Sequence, residues 1–156
     1  MSVRQLLRVT SRRAALFSTA LALALCVWTG AASGQQLKLR ASDWKAMQAV
    51  ITAQRAAFLA GDGDKAFGYA TPAIRAQFGD PATFLEIVRS GYAPLLTARY
   101  VEFLQGAVID GAIVMPLRLI DADNTVRVAL YIMERQPGGS WRIAGCRIAP
   151  STTLAT

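Results

Sequence analysis

Apolar positions recur at two different periods along this chain, and the period changes near residue 99. From Trp44 onward, Met47, Ile51, Gln54 and Phe58 follow at spacings of three and four, with Val50 and Ala57 widening the stripe. That pattern predicts an amphipathic helix with one buried face. Ser42 stands where an N-cap belongs, and Asp43 puts negative charge in the first turn. Gly61 suits the left-handed position that ends such a helix. Asp62-Gly-Asp64 restarts the chain, and Lys65 to Ala70 predicts a short helix carrying Phe67 and Tyr69. Thr71-Pro72 and Asp80-Pro81 each join a capping residue to a proline at the first helical position. Gly79 closes the first of these turns. The second opens a helix from Ala82 to Ser90, with Phe84, Leu85 and Val88 inward and Gly91 as its stop. Tyr92-Ala-Pro94 leads out.

Beyond Arg99 the period is two. Arg99 to Ile109 predicts a strand, with Gly106 as a bulge or bend. Asp110-Gly111 is a type I′ hairpin pair. Ala112 to Ile120 forms the next strand, with Ile113, Met115, Leu117 and Leu119 on one face. Asp121-Ala-Asp-Asn124 turns into Thr125 to Gln136, and Pro137-Gly-Gly-Ser140 turns into Trp141 to Ala149. A four-stranded antiparallel meander behind N-terminal helices is an α+β fold. The first helix must lay its stripe across the sheet, with Val101, Phe103, Trp141 and Ile143 as contacts. The second sheet face is expected to carry Val114, Pro116, Ile120, Ala129, Tyr131 and Met133. Antiparallel sheets usually leave one face polar. An apolar second face calls for a cover, and two are open: the short helices wrapping around it, or a second copy of the chain forming a homodimer through the sheet face.

The first 34 residues have another character. Arg4, Arg8, Arg12 and Arg13 precede an apolar run from Ala14 to Trp28, and Gly30-Ala-Ala-Ser-Gly34 follows. Positive start, short apolar core and small-residue end are the parts of a secretory signal peptide. The run is shorter than the roughly 20 residues a membrane-spanning helix needs. Cleavage near residues 33–34 is therefore expected, leaving no stable membrane span and a periplasmic or secreted product. Ser11-Arg12-Arg13 also resembles a twin-arginine export signal, although an aromatic usually stands where Ala15 is. Leu25 before Cys26 is too large for lipoprotein processing. The expected layout is a leader over 1–34, a polar lead-in over 35–41, one α+β domain over 42–150 and a frayed tail over 151–156.

Removing the leader changes the charge and cysteine arguments. The whole chain is +7, but without four leader arginines thirteen basic residues face ten acidic ones, leaving about +3. The remaining arginines are scattered singly and give no basic cluster of the kind nucleic-acid binding needs. Of two cysteines, Cys26 leaves with the leader, so Cys146 has no intrachain partner. The chain has no histidine, which excludes histidine triads, imidazole acid–base work and most zinc sites.

The words Ala66-Phe67-Gly-Tyr-Ala-Thr-Pro72-Ala-Ile-Arg75, Phe78-Gly-Asp-Pro81, Val88-Arg-Ser-Gly-Tyr92 and Met133-Glu-Arg-Gln-Pro-Gly-Gly-Ser-Trp141-Arg-Ile-Ala-Gly-Cys146 carry a resemblance. From about Gln54 to Pro150 the chain resembles a bacterial family of exported proteins, domain of unknown function 4864. That family has no established activity. The resemblance implies a fold similar to the nuclear transport factor 2-like (cystatin-like) cone, a curved sheet wrapped by helices. Its wider group holds small-substrate enzymes as well as inert binding and dimerisation modules, so fold does not choose between them.

In such a cone the first helix and the sheet enclose a pocket, and polar residues facing it would form a site. Tyr69 and Tyr92 could each offer a hydroxyl at the rim, against the commoner role of aromatic packing. Glu86 and Arg89 share a helix side at i,i+3, which is the ordinary spacing of a surface pair. Glu102 alternates with Val101 and Phe103 and faces away from them. Asp110 is explained by its turn. Cys146 shares a strand face with Ala144 and Ile148 and reads as a small buried hydrophobe. No phosphate loop, metal-ligand spacing or nucleophile elbow is present. The residues call for no cofactor, no metal and no catalytic set. They favour a non-enzymatic module that binds a small ligand or a periplasmic protein. The alternative is a small-molecule enzyme using Tyr, carboxylate and Arg groups in the pocket.

Overall fold

The computed structural model describes residues 38–150. The expected leader and frayed tail lie outside the described residues. Helix α1 runs Ala41–Leu59 and buries Met47, Ile51, Gln54, Ala57 and Phe58 along the predicted stripe, with Trp44 half-buried. It starts one residue earlier than the expected Ser42 cap. The Asp43 carboxylate reaches back to accept the Arg40 backbone N–H at 2.9 Å, closing the first turn and leaving Ser42 exposed inside it. Gly61 at φ +69° ends the turn, as only a residue without Cβ does cheaply.

The short helices follow their caps. Asp62 accepts from the Lys65 N–H at 3.0 Å, so α2 spans Gly63–Gly68, two residues ahead of the expected start. Thr71 caps α3 (Pro72–Phe78), and Asp80 caps α4 (Pro81–Gly91) by accepting from the Ala82 and Thr83 N–H groups, both at 2.9 Å. Gly91 is the last helical residue rather than the stop beyond it. Pro94 then starts a one-turn helix, α5 (Pro94–Thr97), where the sequence suggested only a connection.

The sheet has five antiparallel strands rather than four: β1 Tyr100–Phe103, β2 Ala107–Ile109, β3 Ala112–Ile120, β4 Val126–Arg135 and β5 Trp141–Pro150. The expected strand over 99–109 breaks at Leu104–Gly106, because the Trp44 ring of α1 occupies that place and a Cβ on Gly106 would overlap it. Both halves pair with β3, so they share one edge of the order β1-β3-β4-β5. Asp110 and Gly111 have φ of +49° and +81°, as a type I′ turn requires.

Register corrects the expected face assignment. Ile113 pairs with Met133, Met115 with Tyr131 and Leu117 with Ala129. Met133, Tyr131 and Ala129 therefore lie on the helix-covered face and are buried. The second face instead carries Val114, Pro116 and Ile120 beside Val126, Val128, Leu130 and Ile132, crossed by the Arg118–Glu102 ion pair at 2.9 Å. On β5 the pairing jumps from Met133↔Ile143 to Ile132↔Gly145, leaving Ala144 as the bulged residue. Cys146 thus shares its face with Ile148 but not, by simple alternation, with Ala144. The bulge reverses parity, so Trp141, Ile143, Cys146 and Ile148 all pack toward the helices.

Burial divides into two clusters. The larger joins Met47 and Ile51 of α1 to Met115, Leu117, Leu119 and Tyr131 of the sheet, with Val101, Phe103, Trp141 and Ile143 meeting it as expected. The smaller joins Ala57 and Phe58 to α2 and α4, with Phe84 at its centre: the Phe58, Phe67 and Phe78 rings stand 5.6, 5.4 and 5.4 Å from it. The α2–α3 junction is stitched to the outer edge of β5. Thr71 N–H donates to the Ile143 carbonyl and Ile143 N–H donates to the Tyr69 carbonyl, both at 2.9 Å. The Arg142 guanidinium donates to the Gly68 carbonyl. These bonds occupy part of a strand edge that would otherwise be unpaired.

Candidate functional site

Where the two clusters meet, packing leaves a cavity of about 230 Å³. Four elements set its helical wall: Phe58 from α1, Gln77 and Phe78 from α3, Phe84, Ile87 and Val88 from α4, and Leu95 from α5. Tyr131 of β4 with Ile143 and Cys146 of β5 form the sheet wall. The bulge at Ala144 is what lets Ile143 and Cys146 line the same space. No acidic or basic side chain is among the lining residues.

The polar groups at this wall differ in what they already do. Gln54, buried in the α1 stripe, donates from Nε2 to the Ala66 carbonyl at 3.2 Å. The Tyr92 hydroxyl donates to the Cys146 carbonyl at 3.2 Å. Tyr131 is 1 % exposed, and its hydroxyl has no hydrogen-bond partner among the described residues. It stands beside the Cys146 thiol without reaching the geometry of a hydrogen bond. Burial raises the Tyr131 phenol well above its ordinary 10.0, the neighbouring Cys146 adds to this, and the Arg55 guanidinium opposes it. Arg55 spends its own donors on the Leu95 and Ala98 carbonyls, at 2.8 and 3.0 Å. Burial pushes the Cys146 thiol up to about 12. Both groups are therefore neutral at pH 7, and the thiol is not a nucleophile there.

The residues singled out in the sequence go to different places. Tyr92 lines the cavity. Tyr69 is half-buried against the larger cluster and is not part of the cavity wall. Arg89 and Glu86 are exposed on α4, outside the wall, and do not pair. The ion pairs among the described residues are Arg40–Asp43, Arg118–Glu102 and Arg127–Asp121. Glu102 lies across from Arg118 in β3, and Asp110 is in its hairpin turn. Sequence reasoning missed Tyr131 and Gln54 as wall residues. Gln54 left a trace, a polar residue inside an apolar stripe. Tyr131 left none, because its face depends on the β3–β4 register. Among the described residues no three His, Cys, Asp or Glu side chains gather as a metal would need, and no helix is long and apolar enough to cross a membrane.

An α+β domain with an uncharged cavity between helices and sheet is the class of protein that these features define. The model of the family described as a domain of unknown function (DUF4864) matches residues 40–156, and the chain belongs to that family. No curated protein and no solved structure matches it.

Proposed function

We propose that this protein is a non-enzymatic binding module whose cavity takes up a small, chiefly apolar ligand outside the cytoplasm. The observation that carries this reading is the cavity wall: about 230 Å³ of space bounded chiefly by aromatic and aliphatic side chains, with Gln54, Gln77 and Cys146 among them and no charged side chain. Ligand sites are mostly apolar concavities with few polar groups, and this cavity has that make-up. A dry apolar cavity of about 150 Å³ takes up benzene, so a substituted ring or short branched chain has room here. The enzyme alternative asks for ionised groups at the reacting centre. The wall offers none, and the Cys146 thiol stays protonated until about pH 12. Export rests on the Arg-rich, apolar leader over residues 1–34. Kinship with the nuclear transport factor 2-like cone is part of the proposal and is supported by a cavity lying between helices and sheet.

Ethylbenzene serves as a probe for this reading. It is expected to raise the thermal midpoint of the protein and to shift NMR signals of Phe84, Val88 and Ile143. Ile87→Trp, at the half-buried part of the wall, is expected to abolish both effects while the domain stays folded. No response to ethylbenzene in the unmodified protein would remove the proposal.

A second surface supports association. Val114, Pro116, Val128, Leu130 and Ile132 make the uncovered sheet face apolar, and Ile132 is 42 % exposed. A second copy of the chain is proposed to cover this face through a two-fold contact.

A further inference from the structure

We infer that α3 is the door of the cavity: ligand enters and leaves when this short helix swings away from α4 and β5. This rests on the binding reading above and adds its route of entry. Much of the wall is buried, but Ile74, Phe78, Ile87, Gly145 and Cys146 are half-buried and Gln77 is exposed. The cavity therefore meets solvent between α3 on one side and α4 with β5 on the other. These borders differ in what it takes to move them. α4 buries Phe84, Leu85 and Val88, and β5 buries Trp141 and Ile143 within a hydrogen-bonded sheet. The Tyr92 hydroxyl ties the end of α4 to β5 by donating to the Cys146 carbonyl at 3.2 Å. Displacing either element breaks into the core.

Of the five helices among the described residues, α3 is the one that buries no residue. Ile74, Gln77 and Phe78 stand at i, i+3 and i+4, so they share the face that lines the cavity. Pro72, Ala73, Arg75 and Ala76 are exposed. Its aromatic hold is the Phe78 ring, edge-on to Phe84 at 5.4 Å. A segment with so little buried surface opens locally at a fraction of the free energy of global unfolding. Its two ends suit a swing. Thr71 is 1 % exposed and its N–H donates to the Ile143 carbonyl at 2.9 Å, which fixes the start of α3 on β5. At the other end Gly79 holds φ +83°, and no atom lies within 4 Å of the place a Cβ on it would take. That joint is a glycine in open space, able to absorb the change in backbone angle. α3 can therefore turn outward without unpacking a buried residue.

The test loosens α3 at a position outside the wall. Ala76 is exposed in the helix interior, and Ala76→Gly is expected to raise the open population of α3 about fivefold through lost helix propensity. Ala46→Gly, at an exposed position of α1, controls for general destabilisation. Amide hydrogen exchange reads the opening of α3, and NMR line shapes read the association and dissociation rates of ethylbenzene. Ala76→Gly is expected to speed α3 exchange and both ethylbenzene rates by the same factor, with Kd nearly unchanged. Ala46→Gly is expected to change none of the three. If Ala76→Gly speeds α3 exchange but leaves the ethylbenzene rates as they were, α3 is not the door and the cavity reading stands. If Ala76→Gly leaves α3 exchange unchanged, or Ala46→Gly speeds it as much, α3 does not open on its own and the door is refuted. If ethylbenzene does not bind the unmodified protein, the binding reading itself fails and the door with it.

Discussion

Tyr131 is a large side chain whose burial works in both directions. Its ring fills the junction of the two clusters, while its hydroxyl is taken from water without a replacement partner. An unsatisfied buried group costs about 1–3 kcal/mol. In ligand-free protein Tyr131→Phe is therefore expected to raise stability by about 1 kcal/mol in a urea titration, against the usual direction for a core substitution. A decrease would mean that the hydroxyl has a partner. Cys146 gives a second expectation. Its thiol titrates at about 12 in the folded protein against an ordinary 9.0. The folded state thus holds this proton where the unfolded chain releases it. The resulting stability is complete below pH 9 and is lost as pH rises through 12. Cys146→Ala is expected to flatten the decline of the melting midpoint across that window, and the native thiol is expected to resist disulfide reagents until the domain unfolds. At this scale the sequence was partly legible. Cys146 faces the core half-buried, with Ile148 beside it as its strand alternation suggested but without Ala144, and Gln54 stood out in its stripe. Tyr131 could not be placed, since either face of a strand accepts a tyrosine.

Elements were most legible where they are specified by neighbours in sequence. Thr71-Pro72 and Asp80-Pro81 start helices because a side-chain oxygen accepts an orphan N–H and proline forgoes one. Asp110-Gly111 turns because both residues hold positive φ. Elements that depend on a distant residue were read incompletely. Gly106 was visible as an irregularity in a strand, but what breaks the strand is Trp44, more than sixty residues earlier. Gly106→Val is expected to cost about 1–3 kcal/mol as overpacking. Trp44→Ala on the same background is expected to recover part of it, and a double-mutant cycle on urea midpoints measures the coupling. Purely additive losses would show that the ring does not occupy that gap. The Ala144 bulge is of the same kind: nothing in Ile143-Ala-Gly-Cys146 announces it, yet it brings Ile143 and Cys146 to one wall.

For the whole molecule the open question of physics is the uncovered sheet face. Val114, Pro116, Val128, Leu130 and Ile132 share this face with the Arg118–Glu102 ion pair, whose side chains are both about two-fifths exposed, and with the exposed Arg147, which pairs with Leu130. Such a pair contributes little to stability, and the apolar centre of the face is bordered by these charged groups. If a second copy covers it, Ile132→Lys places two charges in the contact and is expected to convert a dimer to monomer in sedimentation velocity without lowering the melting midpoint of the isolated domain. A monomer before substitution would remove the association proposal.

By itself the sequence determined the order and type of the elements: a capped helix with one apolar stripe, short proline-started helices, then alternating strands in an antiparallel meander. These follow from local hydrogen bonding and hydrophobic period, which act over a few residues. Tertiary structure decided which strand face meets the helices, where the meander is interrupted and which side chains share a cavity. Those outcomes depend on register, on a bulge and on one tryptophan ring, and each is a contact between residues that the chain itself keeps far apart.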